Sequence, residues 1–158
     1  MWCLNILNIV ACVVLLSSVS GGAECRAASD QTKQNCEQNG YEQYDTGCYK
    51  LHDTPVTWDA AKASCAAEGA FLVIINDKTE AEMVSDITKD SSYSYDWVGL
   101  RDESGNGDWR SVHGDRINNL YNIWVESDPQ KYKCGALKYS GKLDDVPCTN
   151  EYSFVCEK

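Results

Sequence analysis

Apolar and polar positions divide this chain into segments of different character. Residues 4–19 form an apolar run, broken by Asn5, Asn8 and Cys12, that leads into the small residues Gly21, Gly22 and Ala23. The run is shorter than the roughly 20 apolar residues of a membrane span, so 1–23 reads as a signal peptide, with an uncleaved anchor as the alternative. Its first residues lack the Lys or Arg usual in such leaders. Residues 24–35 are polar and charge-mixed, a tail with little to bury. Around Thr46 and Gly47, aromatic residues on either side predict two short strands joined by a turn within 40–51. Thr57 then stands as a cap before a helical pattern in which Trp58, Ala61, Cys65 and Ala66 share one face, and Gly69 ends it. A strand is predicted over 71–75. Asp77, with Glu80 three residues on, has the form of a capping box, and Ala81, Val84, Ile87 and Thr88 give the second helix an inner face as far as about Lys89. Residues 97–100 resume as a buried strand. From 101 to 131 the chain is rich in Gly, Asn and Asp with no sustained period, which predicts ordered loops. Residues 135–139 and 152–156 close the pattern as strands. Two early helices among short strands and one long irregular region make an α+β domain whose function belongs on its loops.

Charge narrows the partners. The sequence has 24 Asp and Glu against 14 Lys and Arg, a net charge of −10, and no charged residue precedes Glu24. Phosphate backbones and anionic headgroups repel such a surface, which argues against nucleic acid and against membrane association once the leader is gone. Of the nine cysteines, Cys3 and Cys12 lie in the leader. The remaining seven show no paired Cys-x-x-Cys spacing, and His52 and His113 are the only imidazoles, so disulfides in an extracellular compartment account for them better than zinc does. Spacing alone does not choose among the pairings that six cysteines allow, and one is left over. No Gly-x-Ser-x-Gly elbow accompanies the histidines, and Gly105-Asn-Gly107 lacks the Lys and the strand-to-helix setting of a phosphate loop. The chain is therefore not expected to be an enzyme. Trp58, Trp97, Trp109 and Trp124 read as core before they read as a sugar-stacking platform, given the area each buries.

Several of these features together resemble one family. Cys65 near the end of the first helix, Trp97-Val-Gly99, the Cys134 and Cys148 pair and the terminal Phe154-Val-Cys156-Glu157 are similar to the C-type lectin domain over 36–158. The wording Cys48-Tyr-Lys-Leu-His52, Cys134-Gly-Ala-Leu137 and Asp145-Val-Pro-Cys148 resembles secreted invertebrate members of the haemolymph lipopolysaccharide-binding type. The resemblance implies a disulfide-stapled fold with two helices, small antiparallel sheets and a long ordered loop region. It also implies the pairs Cys36–Cys48, Cys65–Cys156 and Cys134–Cys148. Cys25 is then the remainder, either an unpaired thiol in the tail or the bridge of a covalent homodimer.

In the family a Ca²⁺ held by oxygen ligands on the long loop also engages sugar hydroxyls, and the resemblance places both roles here on Asp128, Gln130, Asp144 and Asp145. Asp128-Pro-Gln130 occupies the position of the family's Glu-Pro-Asn or Gln-Pro-Asp triplet. Leu143-Asp-Asp145 stands in place of Trp-Asn-Asp, with a carboxylate at Asp144 where an amide would donate to sugar. Tyr132 replaces a further ligand Glu, so calcium is expected to bind weakly. At the auxiliary calcium position Asp102 matches, but Asn106 and Lys131 replace acids, and no second ion is expected there. The function implied is that of a secreted, calcium-dependent carbohydrate-binding protein recognising microbial surface polysaccharide in innate immunity. The alternative is a calcium-independent C-type lectin-like domain acting as a protein-interaction module of haemolymph or venom.

Overall fold

The computed structural model describes residues 36, 40–44, 47–126 and 131–158. The leader, the tail with Cys25, and the stretch holding Asp128, Pro129 and Gln130 therefore lie outside the described residues. Strand β1 (Glu42–Tyr44) turns back into the long β2 (Gly47–Val56), followed by helix α1 (Trp58–Ala67), β3 (Phe71–Leu72) and helix α2 (Lys78–Thr88). Then come β4 (Tyr95–Arg101), β5 (Arg110–Ser111), a 3₁₀ turn (Ile117–Asn119), β6 (Cys134–Lys138), β7 (Leu143–Val146) and β8 (Tyr152–Glu157). Hydrogen bonds link the strands into one eight-stranded network of order β1-β2-β8-β4-β6-β7, with β3 added on β8 and β5 on β4. Only β4 and β8 run parallel; the other pairs are antiparallel.

Alternation along the central strands feeds two cores. Trp97, Ala136, Phe154 and Cys156 face α1, where they pack with Trp58, Ala61 and Cys65. Their sequence neighbours Val98, Leu137 and Val155 face the other way, against Ala81 and Val84 of α2 and against Trp109, Ile117 and Tyr121 of the long loops. This two-sided burial explains why 97–100 reads as a continuous apolar run. The indoles that enter the core satisfy their N–H groups on backbone: Trp58 Nε1 donates to the Val98 carbonyl at 2.9 Å and Trp97 Nε1 to that of Val56 at 2.7 Å. Trp58, Trp97 and Trp109 are almost fully buried, as expected of core residues, whereas Trp124 is half-buried against the same core.

The three disulfides are Cys36–Cys48, Cys65–Cys156 and Cys134–Cys148, the pairing the resemblance implies. Cys65–Cys156 ties α1 to β8 across 91 positions, and Cys134–Cys148 ties the start of β6 to the segment beyond β7. Two local expectations differ from the structure. The ladder of the strand expected over 71–75 stops at Leu72; at Val73 the chain is shared between two strands, its N–H donating to the Val155 carbonyl of β8 and its carbonyl accepting from Gly99 N of β4. Leu143–Val146, to which the sequence pattern assigns no element, is a strand paired throughout with β6.

Candidate functional site

β7 lies at the edge of the sheet and fastens both arms of the long loop. On the entry side, Val125 N donates to the Leu143 carbonyl and Leu143 N to that of Ile123, each at 2.8 Å. The Trp124 ring meets that of Trp109 with centroids 4.8 Å apart, which anchors this arm on the loop-side core. On the exit side, Asp145 Oδ2 accepts from Tyr132 N at 2.6 Å. The carboxylate is 8% exposed, so the backbone N–H it binds compensates part of its lost hydration. Gly141, at φ 75°, makes the β6–β7 turn possible, and Cys134–Cys148 locks the far end of the pair. Residues 127–130 are thus flanked on both sides by chain bonded to β7.

The two acids of β7 do not work together. Consecutive strand residues point to opposite faces; Leu143 and Asp145 face the loop side, whereas Asp144 faces the α1 side with Trp97 and Ala136. There Asp144 Oδ2 accepts from the Tyr95 hydroxyl at 2.8 Å. Burial, reinforced by this bond to an acid, pushes the Tyr95 phenol up to about 12. Asp144 therefore does not converge with Asp145 in this arrangement, because the strand that the sequence pattern did not announce separates them. Tyr132 meets Asp145 through its backbone, while Lys131 Nζ lies 5.0 Å from the Tyr132 ring centroid. The donors at this end are oxygens, the kind calcium prefers. As arranged, β7 supplies one loop-facing carboxylate, and among the described residues no group of three His, Cys, Asp or Glu is placed to hold a metal.

Asp102, which matches the auxiliary calcium position, is fully buried and builds its own loop. Its carboxylate accepts from Ser104 Oγ at 2.9 Å, Gly105 N at 2.8 Å and Gly107 N at 2.7 Å. Burial raises its pKa, but these donors outweigh burial and hold it below the usual carboxylate range. Asn106 Oδ1 accepts from Ser104 Oγ and Asp108 N, so the amide is spent inside the same loop. The spacing Asp-x-Ser-Gly-x-Gly is the signal that marks this hydrogen-bonded turn. The histidines lie elsewhere: His52 stacks on Phe154 at 4.5 Å, and His113 meets Phe71 edge-on at 4.3 Å.

Comparison with known proteins decides the family. The family model for the lectin C-type domain matches residues 54–158. The chain belongs to the C-type lectin domain family. A haemolymph lipopolysaccharide-binding protein of Periplaneta americana is 34% identical over 124 residues, covering 70% of this chain and 48% of that protein. The hepatic lectin of Gallus gallus is 30% identical over 122 residues, covering 75% of this chain and 58% of that protein. This C-type lectin chain thus spans about half the length of the curated relatives it matches. Human lithostathine superposes with a TM-score of 0.70 at 29% identity, over 80% of this chain and 92% of that one. Strand β1 and the first residues of β2 precede the matched stretch and extend the sheet beyond it. No helix among the described residues is long and apolar enough to cross a membrane.

Proposed function

We propose that this C-type lectin domain is a secreted carbohydrate-binding protein whose calcium-dependent recognition of microbial-surface glycans runs through the loop fastened to β7, with the calcium held weakly. The observation that carries the reading is the buried, loop-facing carboxylate of Asp145, bonded to Tyr132 N where the chain leaves 127–130. The family resemblance places Asp128 and Gln130, within that flanked segment, in one ligand set with Asp145. An acid, an amide and a second acid supply the oxygen donors a calcium ion takes, and the ion when bound offsets their mutual repulsion. Asp144, held by Tyr95 on the opposite face, joins this set only through a local rearrangement of β7 that releases that bond. The kinship with a haemolymph lipopolysaccharide-binding protein supports extracellular microbial glycan as the ligand class and innate recognition as the role.

A second reading, a calcium-independent interaction domain, is favoured by one observation: Asp144 is engaged by Tyr95 on the opposite face. Calorimetric calcium titration together with glycan-array binding, with and without EDTA, separates the two. The first reading expects calcium heat with a Kd of about 10⁻⁴ to 10⁻³ M, loss of calcium and glycan binding in Asp145→Ala, and tighter calcium in Tyr132→Glu. Glycan binding that persists in EDTA, with no calcium heat at millimolar concentration, gives the domain to the second.

A further inference from the structure

A cleft of about 650 Å³ opens on the other edge of the sheet, separated from β7 in strand order by β4 and β6. Its floor is set by register. Glu157 of β8 is paired with Tyr49 of β2 on one side and with Phe71 of β3 on the other, so ring, carboxyl and ring form one row across three strands. The row continues at both ends: Tyr44 meets Tyr49 edge-on with centroids 6.1 Å apart, and His113 meets Phe71 at 4.3 Å. Gly47 makes room for this arrangement, since a Cβ there would fall 2.6 Å from the Tyr49 ring. Phe71 is 48% exposed, a large apolar surface left open beside a carboxyl group.

Acids predominate among the charges around Glu157. From α2, Glu80 is held by Tyr49 Oη at 2.7 Å, Asn76 N at 2.8 Å and Asn76 Nδ2 at 2.9 Å, and Asp77 caps the helix. Just beyond β8, Lys158 also lines the cleft, with its Nζ 4.2 Å from the Tyr41 ring centroid. His113 lines the cleft from the loop after β5, and Tyr44 and Tyr49 line it from β1 and β2. Among the described residues no ion pair involves Glu157.

We propose that this cleft is a second binding site, for an organic cation of the alkylammonium class, with Glu157 as counter-charge and the flanking aromatic rings as its walls. A cation bearing alkyl groups is attracted by the quadrupole of aromatic rings and buries its carbons against them, and a carboxylate in the same row supplies the opposite charge. A neutral ligand of the same shape keeps only the burial, and an anion is repelled by the carboxylates. Burial, and then the charge of Glu80, push the Glu157 carboxyl up to about 7. A bound cation favours the ionised form, so affinity should fall on acidification.

The probe is choline, with 3,3-dimethylbutan-1-ol as the uncharged counterpart of the same shape. Both are titrated by ligand-observed NMR in EDTA, so that a calcium site at β7 plays no part. Choline should bind with a Kd of about a millimolar, the alcohol at least about tenfold more weakly, and choline about tenfold more weakly at pH 5.5 than at pH 8. Glu157→Gln should weaken choline about tenfold, and Phe71→Ala, at an exposed position that leaves the core intact, several-fold. Co-sedimentation with phosphatidylcholine vesicles then distinguishes a lipid headgroup from a free amine as the source of the cation. Equal binding of choline and the alcohol, no saturation by choline at about 50 mM, or undiminished binding in both variants overturns the site.

Discussion

Tyr95 decides what Asp144 can do. Its hydroxyl donates to Asp144 on the α1 side of β7, so any cation that recruits Asp144 must compete with that bond. Tyr95→Phe removes the donor and keeps the ring against Tyr152, whose centroid lies 5.3 Å away. If calcium draws on Asp144, this substitution should tighten calcium binding a few-fold in calorimetry, at a stability cost of about 1 kcal/mol in denaturant unfolding. Unchanged calcium affinity assigns Asp144 to the fold alone. Asp145 differs in kind, because it is buried and serves a backbone donor; Asp145→Ala strands the Tyr132 N–H and should cost about 1 to 3 kcal/mol whether or not calcium is present. A pair of adjacent acids before a cysteine was legible in the sequence. Their division between two faces was not, because Leu143-Asp-Asp-Val146 places a charge on each side of the strand and so cancels the period-2 signal by which strands are recognised.

At the scale of elements, the two helix starts look alike in sequence and are built differently. For α2 the expected capping arrangement is present: Asp77 accepts from Glu80 N at 3.0 Å, and Glu80 reaches back to Asn76 N at 2.8 Å. For α1, Thr57 occupies the cap position but its side chain makes no capping bond, and Trp58 N donates instead to the Cys148 carbonyl at 3.2 Å. Asp77→Ala should therefore cost about 1 kcal/mol and Thr57→Ala a few tenths, measured by urea unfolding. Equal costs would mean that position, not the hydrogen bond, sets the effect. A distant carbonyl can replace a cap, and local sequence carries no trace of it. Gly99 shows the converse, a residue whose role is plain only in three dimensions. A Cβ there would sit 2.5 Å from the Leu72 carbonyl oxygen, so the Trp-x-Gly pattern records the close crossing of the chain from β3 over β4. The strands with buried faces, β4, β6 and β8, were legible because each is a run of apolar residues; the long loops were legible only as irregular, since their order rests on contacts such as those around Asp102.

At the scale of the molecule, stability is divided between bridges and titrating carboxyls, and pH separates the two. Opening Cys65–Cys156, which spans 91 positions, should cost roughly 3 to 5 kcal/mol through loop entropy at any pH. The carboxyls respond to acid in opposite directions. Asp102, where burial is outweighed by the donors of its loop, and Glu68, where burial is outweighed by Lys50, Tyr41 and His52, are both held below the ordinary range. Their contribution is complete above the unfolded pKa and disappears as pH falls through the lower folded value. Glu157 is the reverse case: burial and then Glu80 raise it from 4.5 to about 7, so the native state keeps a proton that the unfolded chain has released. Stability from Glu157 is complete below about pH 4.5 and declines as pH rises through about 7, and buried Asp96, also raised by burial, adds in the same sense. With a net charge of −10, acidification also relieves self-repulsion. The melting temperature should therefore rise between about pH 8 and pH 5, by an amount worth about 1 to 3 kcal/mol, and fall again below about pH 4. Glu157→Gln should reduce the slope of the upper limb and leave the acid limb in place, because Glu157 is the carboxyl raised to about 7. A melting temperature that is level from pH 8 to pH 5 in the wild type, or a slope that survives Glu157→Gln unchanged, would remove Glu157 from this role.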